Sequence, residues 1–120
     1  MAKVLIVEDE EDLCSLIASQ IRSDQTEVTE CHTAEAGLEA ALKEDFNLVI
    51  SDIRLPGIDG IEMMKKITTE KSPAPAFFIM SGYSDYSTDE ILAAGGKDFF
   101  SKPNEITRLF AAVKELLESL

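Results

Sequence analysis

Five side chains suited to handling phosphate and a divalent cation sit at the ends of short apolar runs in this sequence. Glu8 and Asp9 follow Val4-Leu5-Ile6-Val7, Asp52 closes the run Leu48-Val49-Ile50, Ser81 follows Phe78-Ile79-Met80, and Lys102 comes just after Phe99-Phe100. Singly, each has a commonplace account. Acidic residues after a strand cap the next helix or complement its dipole. A serine before a glycine is a turn residue, and a lone lysine is usually a solvated charge. Asp52 resists that treatment, because its carboxylate interrupts an apolar stretch where burial without a partner is costly.

Gathered in one crevice, the set has a definite chemistry. Clustered carboxylates repel one another, and a hard divalent cation relieves the repulsion. Mg²⁺ takes oxygen ligands, keeps several waters and often accompanies phosphate. It would act as a Lewis acid and screen a phosphoryl group from an attacking carboxylate. Lys102 and the Ser81 hydroxyl would meet the remaining phosphoryl oxygens. Asp52 is then the nucleophile, forming an aspartyl phosphate.

For these residues to meet, one scaffold must mount them all at the same end. Runs rich in Val, Ile and Phe recur at residues 3–7, 27–31, 47–51, 76–80 and 97–100, each too short for a helix. Between them apolar residues repeat at three and four. The stripes are Leu13, Leu16, Ile17 and Ile21; Leu38, Ala41 and Leu42; Ile61, Met64 and Ile67; Ile91, Leu92 and Ala94. A last, longer stripe runs Ile106, Leu109, Phe110, Val113, Leu116, Leu117 and Leu120. Asp59-Gly60 opens the third helix, Gly95-Gly96 closes the fourth, and Asn104 is the expected N-cap of the fifth. The spacing predicts a (βα)5 α/β domain over residues 1–120, with parallel strands, right-handed crossovers and helices on both faces. Such sheets bind ligands beyond the carboxyl ends of their strands, where all five candidate residues fall.

Composition narrows the partners. The 120 residues carry 11 Lys+Arg and 23 Asp+Glu, a net charge of −12, which disfavours direct contact with nucleic acid or an anionic membrane. An apolar content of 45% is ordinary for a globular chain and excludes disorder through low hydrophobicity. No apolar run approaches the roughly 18 residues of a spanning helix. The four apolar residues before Glu8 are too few for a signal peptide, so a cytoplasmic location is expected. Cys14 and Cys31 lack metal-site spacing and read as partly buried free thiols. His32 follows the second run, away from the expected crevice, and is given no catalytic role; Met63-Met64 reads as helix packing.

The sequence resembles the receiver domain of two-component response regulators, of the chemotaxis-regulator-like kind, over essentially its whole length. The resemblance is carried by Val4-Leu5-Ile6-Val7-Glu8-Asp9-Glu10, by Ser51-Asp52-Ile53-Arg54-Leu55-Pro56-Gly57-Ile58-Asp59-Gly60, by Met80-Ser81-Gly82, and by Phe99-Phe100-Ser101-Lys102-Pro103. It implies a flavodoxin-like three-layer fold with strand order 2-1-3-4-5. It implies that Asp52 accepts a phosphoryl group from the phosphohistidine of a sensor kinase or histidine phosphotransfer protein. Mg²⁺, or Mn²⁺ in its place, would be held by Asp9, Asp52 and the main-chain carbonyl of Arg54, with Glu8 acting mostly through water. By the same likeness Lys102 contacts the phosphoryl group and precedes Pro103 through a cis peptide, and Ser81 and Phe99 form the switch. The face of the fourth helix, fifth strand and fifth helix, including residues 84–90, would then be read by an output domain, a target or a second copy.

Three positions depart from the commonest family pattern. Glu8 stands where Asp is frequent, Ser81 replaces a frequent Thr, and Phe99 replaces a frequent Tyr. None removes the functional group that phosphorylation needs. Arg54 and Tyr83 would flank the phosphoryl group and modulate water access, although a plain rim position accounts for them equally. Other classes fit less well. An aspartyl-nucleophile Mg²⁺ phosphohydrolase usually carries an acid two residues after the nucleophile, where this chain has Arg54. A mononucleotide binder would not place Glu8-Asp9-Glu10-Glu11-Asp12 after its first strand, because that loop repels phosphate. An interaction module without phosphorylation leaves the residue set unexplained. The last stripe ends at Leu120 with no linker-like residues after it, as expected of a stand-alone receiver or one trimmed from a longer regulator.

Overall fold

An uninterrupted apolar strand can be covered on both sides only in the interior of a parallel sheet. In the computed structural model, which describes residues 1–82 and 86–120, Val4, Leu5, Ile6 and Val7 are fully buried, as are Leu48, Val49 and Ile50. The strands are β1 (Ala2–Val7), β2 (Thr26–Cys31), β3 (Leu48–Asp52), β4 (Ala76–Ser81) and β5 (Asp98–Ser101). They form one parallel sheet of order β2-β1-β3-β4-β5, as the resemblance implies.

Helices alternate with the strands: α1 (Glu11–Ile21), α2 (Ala34–Lys43), α3 (Gly60–Glu70), α4 (Thr88–Ala93) and α5 (Ile106–Glu118). Residues pointing to alternate faces of each strand build two cores. Val4, Ile6, Leu48 and Ile50 pack with α1 and α5, whereas Leu5, Val7 and Val49 pack with α2, α3 and Ile91 of α4. Met63 and Met64 are both fully buried in the second core, so the pair is packing.

Register decides which residues meet. Val7 pairs with Cys31 on one side and Ser51 on the other, so the next row of the sheet end carries His32, Glu8 and Asp52. Ser81 pairs with Ser101, which puts Lys102 immediately beyond β5.

Several expected details are corrected. On α1 the buried stripe is Cys14, Ile17, Ala18 and Ile21, while Leu16 is 51% exposed. Cys14 is therefore wholly buried, not partly; Cys31 is half-buried, and both thiols are free. Leu42, Leu92 and Leu120 are exposed where the stripes placed them inward. Asp59 caps α3 as expected, accepting from the Glu62 N–H at 2.8 Å. Asn104 does not cap α5. The chain turns through Pro103 and Asn104 before the helix starts, and Glu105 occupies the cap position. Its carboxylate turns back to accept from the Ser101 N–H at 2.8 Å.

Candidate functional site

Strand termination is what mounts the site. β1 stops before Glu8, whose side chain is nevertheless fully buried. β3 ends on Asp52, 6% exposed, and β4 on Ser81, 4% exposed. Lys102 follows β5 and reaches across the sheet end: its Nζ donates to Glu8 Oε1 at 2.8 Å and to Asp52 Oδ2 at 2.9 Å. The other Glu8 oxygen, Oε2, accepts from the Glu10 N–H at 3.0 Å. Asp52, Arg54, Ser81, Gly82, Lys102 and Pro103 line an open cleft of about 460 Å³ together with Glu10 and Leu13. A larger groove of about 870 Å³ opens at the opposite, amino-terminal end of the sheet between α1 and α5, far from any carboxylate cluster of this kind.

Asp9 completes the acidic group. One carboxylate oxygen from each of Glu8, Asp9 and Asp52 lies within 4.8 Å of the others, with Asp9 exposed and its two neighbours buried. That oxygen-only set, open on one side, suits a hard divalent cation, and Mg²⁺ fits it better than a softer ion would.

The electrostatics follow from burial. Desolvation pushes the Glu8 carboxyl above its ordinary value, against the Lys102 and Glu10 hydrogen bonds; the Asp52 charge adds to the rise. For Lys102 desolvation acts downward, but the bonds to Glu8 and Asp52 outweigh it and hold the ammonium above its usual value. Without metal, Lys102 thus serves as the internal counter-charge of two buried carboxylates.

Backbone packing fixes Asp52. A Cβ on Gly60 would lie 2.0 Å from the Asp52 carbonyl oxygen, so α3 starts directly against the Asp52 main chain. The same oxygen accepts from the buried Ser51 hydroxyl at 2.8 Å. The Gly60 N–H donates to the Ile53 carbonyl at 2.7 Å. The Lys102–Pro103 peptide is cis, as is Ser72–Pro73.

Not every expected residue enters the cleft. Phe99 is half-buried on β5, packed beside the α2–α3 core. Its carbonyl accepts from Arg108 Nη2, and the Arg108 guanidinium stacks 4.1 Å from the Phe100 ring centroid. Tyr83, Ser84 and Asp85 lie outside the described residues. His32 was set aside in the sequence, yet its Nδ1 lies 3.0 Å from the Glu8 carbonyl oxygen. Strand order held the missing signal: β2 neighbours β1, so the residue after β2 meets the residue after β1.

The chain is thus an α/β sandwich with a carboxylate cluster and a bridging lysine, a candidate cation site, at the carboxyl ends of its strands. The sequence profile of the response regulator receiver domain matches residues 4–114, and the chain belongs to that family. It is 33% identical over 117 residues to the response regulator ArlR of Staphylococcus haemolyticus, covering 98% of this chain and 53% of that protein. The chain spans about half the length of the curated relatives it matches. Among solved structures it is similar to a CheY-like receiver domain protein from Methanospirillum hungatei, with TM-score 0.87, 28% identity and coverage of 99% and 95% of the two chains. A second is the response regulator TrrA of Thermotoga maritima in complex with Mg²⁺-BeF, with TM-score 0.83, 27% identity and coverage of 97% and 99%. Receiver domains are signalling switches that bind Mg²⁺ at an acidic site. Among the described residues no helix is long and apolar enough to cross a membrane.

Proposed function

We propose that residues 1–120 form one receiver domain, acting in the cytoplasm, whose Asp52 is phosphorylated by the phosphohistidine of a sensor kinase or histidine phosphotransfer protein. An Asp52 oxygen attacks phosphorus as the P–N bond breaks; the imidazole nitrogen keeps the bonding pair and takes up a proton. Mg²⁺, or Mn²⁺ in its place, would be held by Asp9, Asp52 and the Arg54 carbonyl and would supply Lewis-acid screening of the entering charge. Lys102 is already within bonding distance of the Asp52 carboxylate, and Ser81 ends the neighbouring strand, so both can meet the new phosphoryl oxygens. The single observation carrying this reading is the Lys102 ammonium shared between Glu8 and Asp52 beside Asp9.

Phosphorylation adds roughly −1.5 to −2 charge beside Lys102. Lys102 would leave Glu8 for the phosphoryl group, Ser81 would follow, and Phe99 would change rotamer with them. The readout is the face of α4, β5 and α5, where Leu92 stands 44% exposed on a six-residue helix anchored only by Ile91. That face would engage an output domain, a target protein or a second copy, while the charge of −12 argues against direct nucleic-acid contact by this domain. Arg54 at the cleft rim would set access for the water that removes the phosphoryl group. The test is phosphorylation by acetyl phosphate, read by intact-protein mass: incorporation that requires Mg²⁺ and vanishes in Asp52→Asn supports the reading, and incorporation persisting in Asp52→Asn refutes it.

A further inference from the structure

The loop that carries Glu8 and Asp9 is tied to the end of β2 by two bonds. The Glu8 N–H donates to the Cys31 carbonyl at 3.0 Å, and the Glu8 carbonyl lies 3.0 Å from His32 Nδ1. A carbonyl oxygen can only accept, so Nδ1 carries the hydrogen. The peptide units on both sides of Glu8 are therefore fixed, including the one that leads into Asp9. His32 is itself rigidly mounted. Cys31 before it pairs with Val7, and Thr33 after it caps α2, its Oγ1 accepting from the Ala36 N–H at 3.1 Å. By contrast, no hydrogen bond or ion pair to the exposed Asp9 carboxylate is found among the described residues. The backbone that carries it therefore matters for where it points.

We propose that His32 is a positioning residue: its Nδ1–H bond to the Glu8 carbonyl holds the Glu8–Asp9 peptide so that the Asp9 carboxylate meets Asp52 at the cation site. The inference rests on reading the Glu8, Asp9 and Asp52 group as a Mg²⁺ site. Partners that orient metal ligands without touching the ion commonly change metal affinity by one or two orders of magnitude when removed. His32 acts through main chain, which puts its effect at the lower end of that range.

The experiment titrates Mg²⁺ into the folded chain, following amide NMR shifts around Asp52, for the parent, His32→Ala, His32→Leu and His32→Asn. Leucine keeps bulk without a donor, and the asparagine amide can restore a donor near Nδ1. Urea midpoints without Mg²⁺ are measured alongside. The expected result is a dissociation constant raised about tenfold in His32→Ala and His32→Leu, and within about twofold of the parent in His32→Asn. A merely structural histidine would lower the urea midpoint and leave the affinity of the folded protein unchanged, which overturns the proposal. An asparagine variant as weak as the leucine variant also overturns it. A parent without Mg²⁺-dependent shifts near Asp52 defeats the metal-site reading itself, and the inference falls with it.

Discussion

The Lys102 ammonium lies 2.8 Å from a Glu8 oxygen and 2.9 Å from an Asp52 oxygen, joining the ends of β1, β3 and β5 through one side chain. Glu8 has no solvent exposure, and the Lys102 side chain only 16%, so these charges depend on each other more than surface pairs do.

Removing the lysine should therefore strand two buried carboxylates. Lys102→Met is expected to lower urea stability without metal by about 3 kcal/mol. Pairing it with Glu8→Gln should recover part of that loss, because one of the uncompensated charges is gone. A double-mutant cycle measures the coupling; additive effects would mean that the bridge contributes nothing.

Asp9 should behave in the opposite way. It adds a third negative charge to the cluster and gains no hydrogen-bond or ion-pair partner among the described residues. Without Mg²⁺, Asp9→Ala is expected to be neutral or stabilising in urea unfolding, and added Mg²⁺ should stabilise the parent more than the variant. A clear loss of stability without metal contradicts the repulsion on which the metal site rests.

Two glycines beside the site should differ sharply. Gly60→Ala places a methyl 2.0 Å from the Asp52 carbonyl oxygen, where backbone must yield, and is expected to cost about 3 kcal/mol. Among the described residues Gly82→Ala meets only the Lys102 carbonyl, at 3.7 Å, and should change stability by no more than about 0.5 kcal/mol. Chemical denaturation of the pair checks this.

Alkaline pH offers a separate probe of the core. Burial, with Glu30 adding to it, pushes the Cys14 thiol up from 9.0 to about 12. The folded state thus holds this proton more tightly than the unfolded chain. The contribution is complete below about pH 9 and is lost as pH rises from there toward about 12, with a slope approaching about 1.4 kcal/mol per pH unit. Cys14→Ala should remove that component of the slope, whatever it does to stability at neutral pH. Parallel stability curves for parent and variant between about pH 8 and about pH 11 would contradict the assignment.

The strands were legible because continuous apolar runs leave few other structures, and the carboxyl-end rule then located Glu8, Asp9, Asp52, Ser81 and Lys102 together. Helix faces were less so. On α1 the small residues Cys14 and Ala18 face the sheet, where a close approach favours them, and the larger Leu16 is left outside. Hydrophobicity alone ranks Leu16 above both. At α5 the chain turns through Pro103 and Asn104 before the helix starts, and Glu105 pairs back to Ser101. Residue type marked a cap there, but the path of the turn decided it. His32 was missed because its contact depends on strand order: β2 lies beside β1, and this brings the residue after β2 to the Glu8 carbonyl.

The most direct test of the central claim is chemical location of the phosphoryl group. An aspartyl phosphate is reduced by borohydride to homoserine, so the parent chain is treated with acetyl phosphate and Mg²⁺, reduced, digested and sequenced by mass spectrometry. Homoserine at position 52 is the predicted result, with none when Mg²⁺ is omitted. Homoserine at position 9, or a stable phosphate on Ser81 with position 52 unmodified, would contradict the assignment of Asp52 as the acceptor.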